Sequence, residues 1–342
     1  STAFRDAMAG LRTDRAGAFF VSGEQLRTLF ERAAPASTAS PSVAEDLPER
    51  IVGTLHLESD RLVAEVRAEL PESAPRPTPR ESELTSRVPG DVLAYVEVPA
   101  LGEGIGRAIE QLKAQPGFED EAGATLEQVE AILGVPLEDE LDWAGDTAVV
   151  GWMATDKPIV GLVSTILDPE SARARLNQIV ALLRLGALTS AAPLELDEED
   201  YADTTITTLT VKPEAASLVG QSEGFALSWA LTDEVFVLSV DDAFVKRILD
   251  GPSDGSLAES ARFQDALEMV GGPTTAGLSY FDARRIRAAA TQVLSRPDRD
   301  AFERDVEPYL EPFDVVVGAR VADGDELVTR IVLTVSDEES QQ

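Results

Sequence analysis

The 342-residue chain contains no cysteine. That excludes disulfides, zinc–thiolate sites, iron–sulfur ligation and thiol catalysis together. It contains one histidine, so a metal site built on several imidazoles is out of reach. Basic residues are scarce: 29 Lys+Arg stand against 62 Asp+Glu, a formal charge of −33. The only lysines are Lys113, Lys157, Lys212 and Lys246. Nucleic acids and anionic lipid surfaces are bound through clustered Lys and Arg, so the balance argues against both as partners. Proteins that work in concentrated salt carry such an acidic surplus, and so do many secreted proteins. Aromatic residues make up 6%, low for a carbohydrate-stacking platform. No run reaches the roughly 18 apolar residues of a membrane span. The nearest, Ile179 to Leu196, is broken by Arg184, Pro193 and Glu195, so no membrane insertion by this segment is expected.

What is present is 44% hydrophobic residues, enough for a packed core. Neither a basic n-region nor an apolar h-region follows Ser1, so no signal peptide is read there. The chain does not open with Met, and its natural start is expected upstream.

The most informative feature is internal similarity. FRDAMAGLRTDRAGAFFVSGEQLRTLF near the start lines up with FQDALEMVGGPTTAGLSYFDARRIRAA near the end. Phe4, Asp6 and Ala7 match Phe263, Asp265 and Ala266, and after one inserted residue Ala16-Gly17 match Ala276-Gly277. VGTLHLESDRLVAEV then matches VGARVADGDELVTRI, aligning Gly53 with Gly318 and Leu62-Val63 with Leu327-Val328. Each copy reads as a helix (Phe4 to Met8, Phe263 to Met269), a short strand (Ala16 to Val21, Ala276 to Phe281), a second helix and a strand pair. The second helix is capped by Ser22 with Gln25, or by Asp282. The strand pair turns at Glu58-Ser59-Asp60 or Asp323-Gly324-Asp325. Leu62, Ala64, Val66, Ala68 and Leu70 alternate with charged or outward residues, which predicts a half-buried strand with its apolar set inside. In the preceding strand the apolar parity of the two copies differs by one residue. Gly53 and Gly318, inside matched strands, predict close approach of something bulky.

The same strand, cap and helix unit recurs. Val92 to Val98 leads into a helix over Gly104 to Ala114, and Pro158 to Leu167 leads through Asp168-Pro169 into another ending near Leu185. Glu234 to Val240 leads through Asp241-Asp242 into Ala243 to Leu249. Ser256 to Glu259 and Thr125 to Gln128 have capping-box form. The predicted class is α+β: mixed, largely antiparallel sheets with helices packed on one face, internally repeated. Residues 1–70 read as a partial copy truncated on its N-terminal side, and 71–87 as a proline-rich linker. Residues 88–337 read as a complete unit whose end, 260–335, repeats 1–70; residues 338–342 read as a tail. Ala33 to Asp46 and Glu195 to Asp203 are low-complexity loops in this reading. The hairpin Phe225 to Val240 before the second copy has no counterpart before Ser1. The chain therefore reads as part of a longer tandem array. The strand Ala16 to Val21 should keep an open edge, occupied by the 88–337 unit or another chain, and drive weak, salt-promoted self-association.

The segments VPGDVLAYVEV (Val88 to Val98), SLAESARFQDAL (Ser256 to Leu267) and AGLSYFDARRI (Ala276 to Ile286) resemble a bacterial family, the one numbered 3352 among domains of unknown function. The resemblance implies an extracytoplasmic protein tethered by a membrane segment upstream. It brings no active-site residues.

No catalytic, cofactor-binding or metal-binding residues are assigned. Leu101 to Arg107 follows a strand and enters a helix, but it lacks the G-x-G-x-x-G spacing, and Glu103 would repel a pyrophosphate. A strand-to-helix turn is expected there. His56 has no nucleophile elbow to serve and reads as a partly exposed strand residue. The acidic run Glu195, Asp197, Glu198, Glu199, Asp200 and Asp203 lacks the glycine of an EF-hand loop and reads as a solvated loop. Trp143, Trp152 and Trp229 read as core anchors. Leu176, Ile179, Val180, Leu182, Leu183 and Leu185 form an apolar stripe, either the buried face of a helix or one wall of a groove. Two functions follow: a non-enzymatic extracytoplasmic scaffold or interaction module with an unknown protein partner, or a carrier of an apolar ligand (lipid or peptide) between sheet and helices.

Overall fold

The computed structural model describes residues 13–26, 47–71, 76–113, 134–155, 157–189, 194–213 and 223–336, with residues 4, 5, 8, 11, 28, 123, 126, 127, 130 and 131. The loop Ala33 to Asp46, the tail 338–342 and part of the expected capping box Thr125 to Gln128 lie outside the described residues. The chain forms two compact units. Residues 1–82, 111–121 and 261–342 make unit 1, and residues 83–110 and 122–260 make unit 2. In place of a linear cut at 71–87, the two chain ends share one unit and the middle forms the other.

In chain order, unit 1 opens with β1 (Gly17–Ser22), β2 (Arg50–Leu57) and β3 (Arg61–Glu69). The middle of the chain follows with β4 (Ala94–Val98), α1 (Leu101–Lys113), β5 (Ala144–Met153), β6 (Pro158–Ile166) and α2 (Pro169–Thr189). Next come β7 (Leu194–Tyr201), β8 (Thr204–Val211), β9 (Phe225–Leu231), β10 (Val235–Ser239) and α3 (Asp242–Leu249). The chain returns to unit 1 with α4 (Ala261–Val270), β11 (Leu278–Asp282), α5 (Ala283–Val293), α6 (Arg296–Asp305) and α7 (Glu307–Leu310). It closes on β12 (Phe313–Asp323) and β13 (Glu326–Val335). The α+β class expected from the pattern is what forms, and the strand pairings within each unit are antiparallel.

Unit 1 orders its strands β1-β2-β3-β13-β12-β11. The two chain ends meet at β3 and β13, from Arg61 opposite Thr334 to Glu69 opposite Glu326, centred on Glu65 opposite Arg330. Phe19 opposes Gly53 and Gly53 opposes Val66; likewise Ser279 opposes Gly318 and Gly318 opposes Ile331. The Ala16 amide donates to the Leu55 carbonyl, as the Ala276 amide does to Arg320. Phe4 meets Phe20 edge-on at 5.7 Å, and Phe263 meets Tyr280 edge-on at 5.2 Å. A Cβ at Gly53 would strike the Phe19 ring, so the expected bulky cover is there; at Gly318 the nearest neighbour is the Ser279 hydroxyl, with Ile331 at ordinary contact distance. β1 pairs with β2 alone among the described residues and so lies at an edge.

The register sorts the two faces. Val52, Thr54 and His56 share a face with Val317, Ala319 and Val321. This face receives α4, whose Phe263, Ala266, Leu267 and Val270 are buried with Tyr280 and Val332. The β3 alternation is inverted relative to expectation. Leu62, Ala64, Val66 and Ala68 lie on the opposite face, while Val63, Glu65 and Arg67 share the face of His56 and Val332. Ion pairing makes this tolerable. A charged set can turn inward when each member meets an opposite charge.

Unit 2 orders its strands β4-β5-β6-β10-β9-β8-β7. Helices lie on both faces here, not on one. Phe244 of α3 seats over Gly161, while Val180 and Leu183 of α2 pack on Leu209, Val211 and Trp229 on the other side. Asp168 caps α2 by accepting from the Glu170 and Ser171 amides at 3.0 and 3.1 Å. Asp241 caps α3 through the Ala243 amide. The reciprocal box at Ser256 and Glu259 forms as well, at 2.9 and 3.3 Å. The supposed linker is tied down along its second half. Arg80 bridges to Thr275, Leu84 is fully buried, and the Leu257 and Ala258 amides donate to Val88 and Thr85.

Gly161 has the least room of the unit 2 glycines facing a core side chain: an added Cβ would lie 2.1 Å from the Phe244 ring. Phe244 is buried and Phe19 half exposed, so only Phe19 can swing aside. Gly161→Ala should therefore lower stability by about 1–3 kcal/mol and Gly53→Ala by less. Urea denaturation at neutral pH checks both.

Candidate functional site

Inward-facing charges on β3 need partners, and the seam with β13 supplies them. Arg330 donates to Glu65 Oε2 through Nε at 3.2 Å and Nη2 at 2.8 Å. Arg67 donates through Nε to Glu65 Oε1 at 2.8 Å and through Nη1 to Glu326 at 3.3 Å. Arg61, at the start of β3, holds Glu58 at 3.0 Å and Asp60 at 3.2 Å. Burial pushes the Glu65 carboxyl upward, but the hydrogen bonds from Arg330 and Arg67 outweigh it and hold the group below the usual range. Glu65 is ionised at neutral pH.

These side chains line a cavity of about 280 Å³ on the helix-facing side of the sheet. Thr54, His56, Glu58, Arg61, Arg67 and Arg330 contribute its polar wall, and Leu11, Val63 and Met269 its apolar one. His56 was expected to be partly exposed. It is instead 5% exposed, and among the described residues its Nδ1 makes no hydrogen bond. The nearest carboxylate, Asp14, stands 3.9 Å away. Val321 holds the corresponding place in the β12 strand. A smaller cavity of about 240 Å³ lies there, beside Arg67 and Arg330.

Unit 2 carries a second concave feature, a groove of about 780 Å³ between α2 and strands β8 and β9. Leu176, Val180, Leu185, Trp229 and Leu231 line it, with Arg173, Arg184 and Glu198 among its polar residues. Part of the stripe singled out in the sequence thus serves two ends. Val180 and Leu183 pack on the core, and Leu176, Val180 and Leu185 wall the groove.

The other sequence candidates fall elsewhere. Leu101 to Arg107 is not a turn but the opening of α1, where Gly102 and Gly106 let the helix press on the Leu141 and Glu138 carbonyls. The acidic run is strand β7 with its turn, not a loop. Its carboxylates meet Lys212, Arg184 and Lys246, and Ala202 and Asp203 make the turn with positive φ. Among the described residues no three ligand-type side chains gather for a metal ion. Trp143 and Trp229 are core residues, while Trp152 stacks beneath Arg247 at 5.4 Å. Glu65, Arg67 and Arg330 escaped sequence reading. Their signal was the charged half of the β3 alternation, opposed by an arginine in the matching strand.

Glu65→Gln strips the charge that two guanidiniums share and should cost about 1–3 kcal/mol at pH 7. A carboxylate held below its unfolded value stabilises above the unfolded value, near 4.3, and loses that contribution as pH falls through the folded one. The variant should therefore lose less stability than the parent between pH 7 and acid. Urea midpoints across that range measure the difference.

Comparison with known proteins adds no relative: no family model matches the chain, and no curated protein or solved structure is significantly similar to it.

Proposed function

We propose that this chain is a non-enzymatic binding protein that carries an amphipathic, single-chain ligand in the groove beneath α2. The groove itself carries the reading. At about 780 Å³ it falls within the size range of small-molecule sites, and its lining combines Leu176, Val180, Leu185, Trp229 and Leu231 with Asn177, threonines of β8 and charged groups. An acyl chain would lie along Leu176, Val180 and Trp229, its polar end near Arg173 and Arg184. Both arginines already face acids, Asp233 and Glu198, so the head group competes for them. The resemblance of Val88 to Val98, Ser256 to Leu267 and Ala276 to Ile286 to family 3352 supports an extracytoplasmic setting. Duplication of the β1–β3 and β11–β13 segments is supported by the matched registers at Gly53 and Gly318 and by the paired edge-on aromatic contacts.

A bromine-labelled long-chain fatty acid tests the carrier. It should quench tryptophan fluorescence saturably, Trp229→Phe should remove most of the quenching, and Leu185→Glu should weaken binding at least tenfold. Leu185 is 58% exposed, so its replacement spares the fold. Quenching that ignores both substitutions overturns the reading.

The scaffold reading has an observation of its own: the face of the unit 1 sheet opposite α4 is apolar. Phe19 on the edge strand β1, Leu57 on β2, and Ile331 and Val335 on β13 are exposed there. Contiguous exposed apolar surface of this kind marks interaction sites. A second copy is the occupant expected, held off at low salt by the −33 charge. Sedimentation should show dimers strengthening with ionic strength, and Ile331→Asp should abolish them. A monomer at every salt concentration overturns the scaffold reading.

A further inference from the structure

The cavity beside His56 has a donor surplus. Among the described residues, the Nη nitrogens of Arg61, Nη2 of Arg67, Nη1 of Arg330 and the hydroxyl of Thr54 make no hydrogen bond. The carboxylates on the cavity wall, Glu58 and Glu65, already face arginines, as do Asp60 and Glu326 beside it. Three guanidiniums and two carboxylates line the cavity itself, while Asp60, Glu326 and Asp14 stand beside Arg61, Arg67 and His56 outside that lining. Buried polar groups are normally satisfied, so a nine-tenths buried imidazole with an unpartnered nitrogen at a cavity wall points to a missing partner. The open donors call for a partner rich in acceptors that fits about 280 Å³. Guanidiniums favour oxyanions because their forked donors match two oxygens at once.

We propose that this cleft binds a small oxyanionic ligand, a phosphate or a polycarboxylate, through Arg61, Arg67 and Arg330, with Thr54 and His56 as further hydrogen-bond partners. Arg330 and Arg67 are fixed by Glu65 and present their remaining donors from a rigid base. Arg61 is held at the β2–β3 turn by Glu58 and Asp60. The apolar wall of Leu11, Val63 and Met269 suits a carbon skeleton between anionic groups better than a bare ion. The site is independent of the α2 groove, and either can fail alone.

The single histidine makes the test direct, since one labelled imidazole gives one signal with no assignment step. The full chain, grown with carbon-13 histidine, is titrated with sodium phosphate and separately with sodium citrate at fixed pH, with sodium chloride at matched ionic strength as the reference. The His56 ring resonance should move saturably in at least one arm and not in the chloride reference. The responding arm separates a phosphate from an organic acid. Arg61→Gln should weaken that binding at least tenfold, whereas Arg304→Gln, in α6, should leave it unchanged. Should Arg61→Gln not fold, Thr54→Val, which keeps the volume, should weaken binding severalfold. No saturable shift in either arm, or a midpoint indifferent to the cleft substitutions, overturns the proposal.

Discussion

Unit 1 depends on one pairing, the antiparallel seam of β3 with β13. Without it the N-terminal strands would end in an open edge on each side, and a three-stranded ribbon this short has too little buried surface to stand alone. The seam is symmetric about the Glu65–Arg330 pair, so each half meets the other as two subunits of a dimer would. Identical subunits would place like residues opposite each other at that centre. Here the two positions carry opposite charges and bind through two hydrogen bonds. Two different strands of one chain need not match, and that freedom allows a salt bridge at the axis.

The same seam explains why a polar cleft survives inside a folded unit. On the β12 side, Val315, Val317 and Ala319 lie under α4 and fill the space between sheet and helix. On the β2 side, Thr54 and His56 stand at the places of Ala319 and Val321, and the opposing strand brings Glu65 and Arg67. Charges set close together in a partly dry space interact more strongly than on the surface, and an arginine fork with a carboxylate satisfies both. The cleft is thus a polar region of the same sheet face that β12 fills with aliphatic side chains.

Unit 2 solves a different problem. Its sheet is covered on both faces, and close approach at glycine makes that possible: Gly161 admits Phe244, while Gly102 and Gly106 admit carbonyls to the surface of α1. α2 is too apolar to sit wholly in solvent, yet only part of its stripe is buried. Leu176, Val180 and Leu185 face the groove. Strand β7 at the edge carries a row of acids, which discourages further strand addition while Lys212, Arg184 and Lys246 neutralise several of them.

Local features were legible in the sequence because they are local. Asp168-Pro169, Asp241 and the Ser256–Glu259 box announce themselves through side chains that bond within a few residues. The alternation of β3, the turn residues and the α+β class follow from periodicities that need no distant partner. Which half of an alternation faces inward is another matter. Leu62, Ala64, Val66 and Ala68 look like a core set, but a strand's facing is decided by the partner beside it, and that partner lies far along the chain in β13. His56 could not be called buried from its neighbours Leu55 and Leu57, since burial depends on what the α4 side of the sheet covers. The acidic run read as a loop because its charges forbid a core strand; an edge strand bearing lysine and arginine partners satisfies the same chemistry. The sequence by itself determined the elements and their caps, whereas the tertiary structure decided which faces and which opposite charges meet, because facing and ion pairing are properties of the neighbours in space.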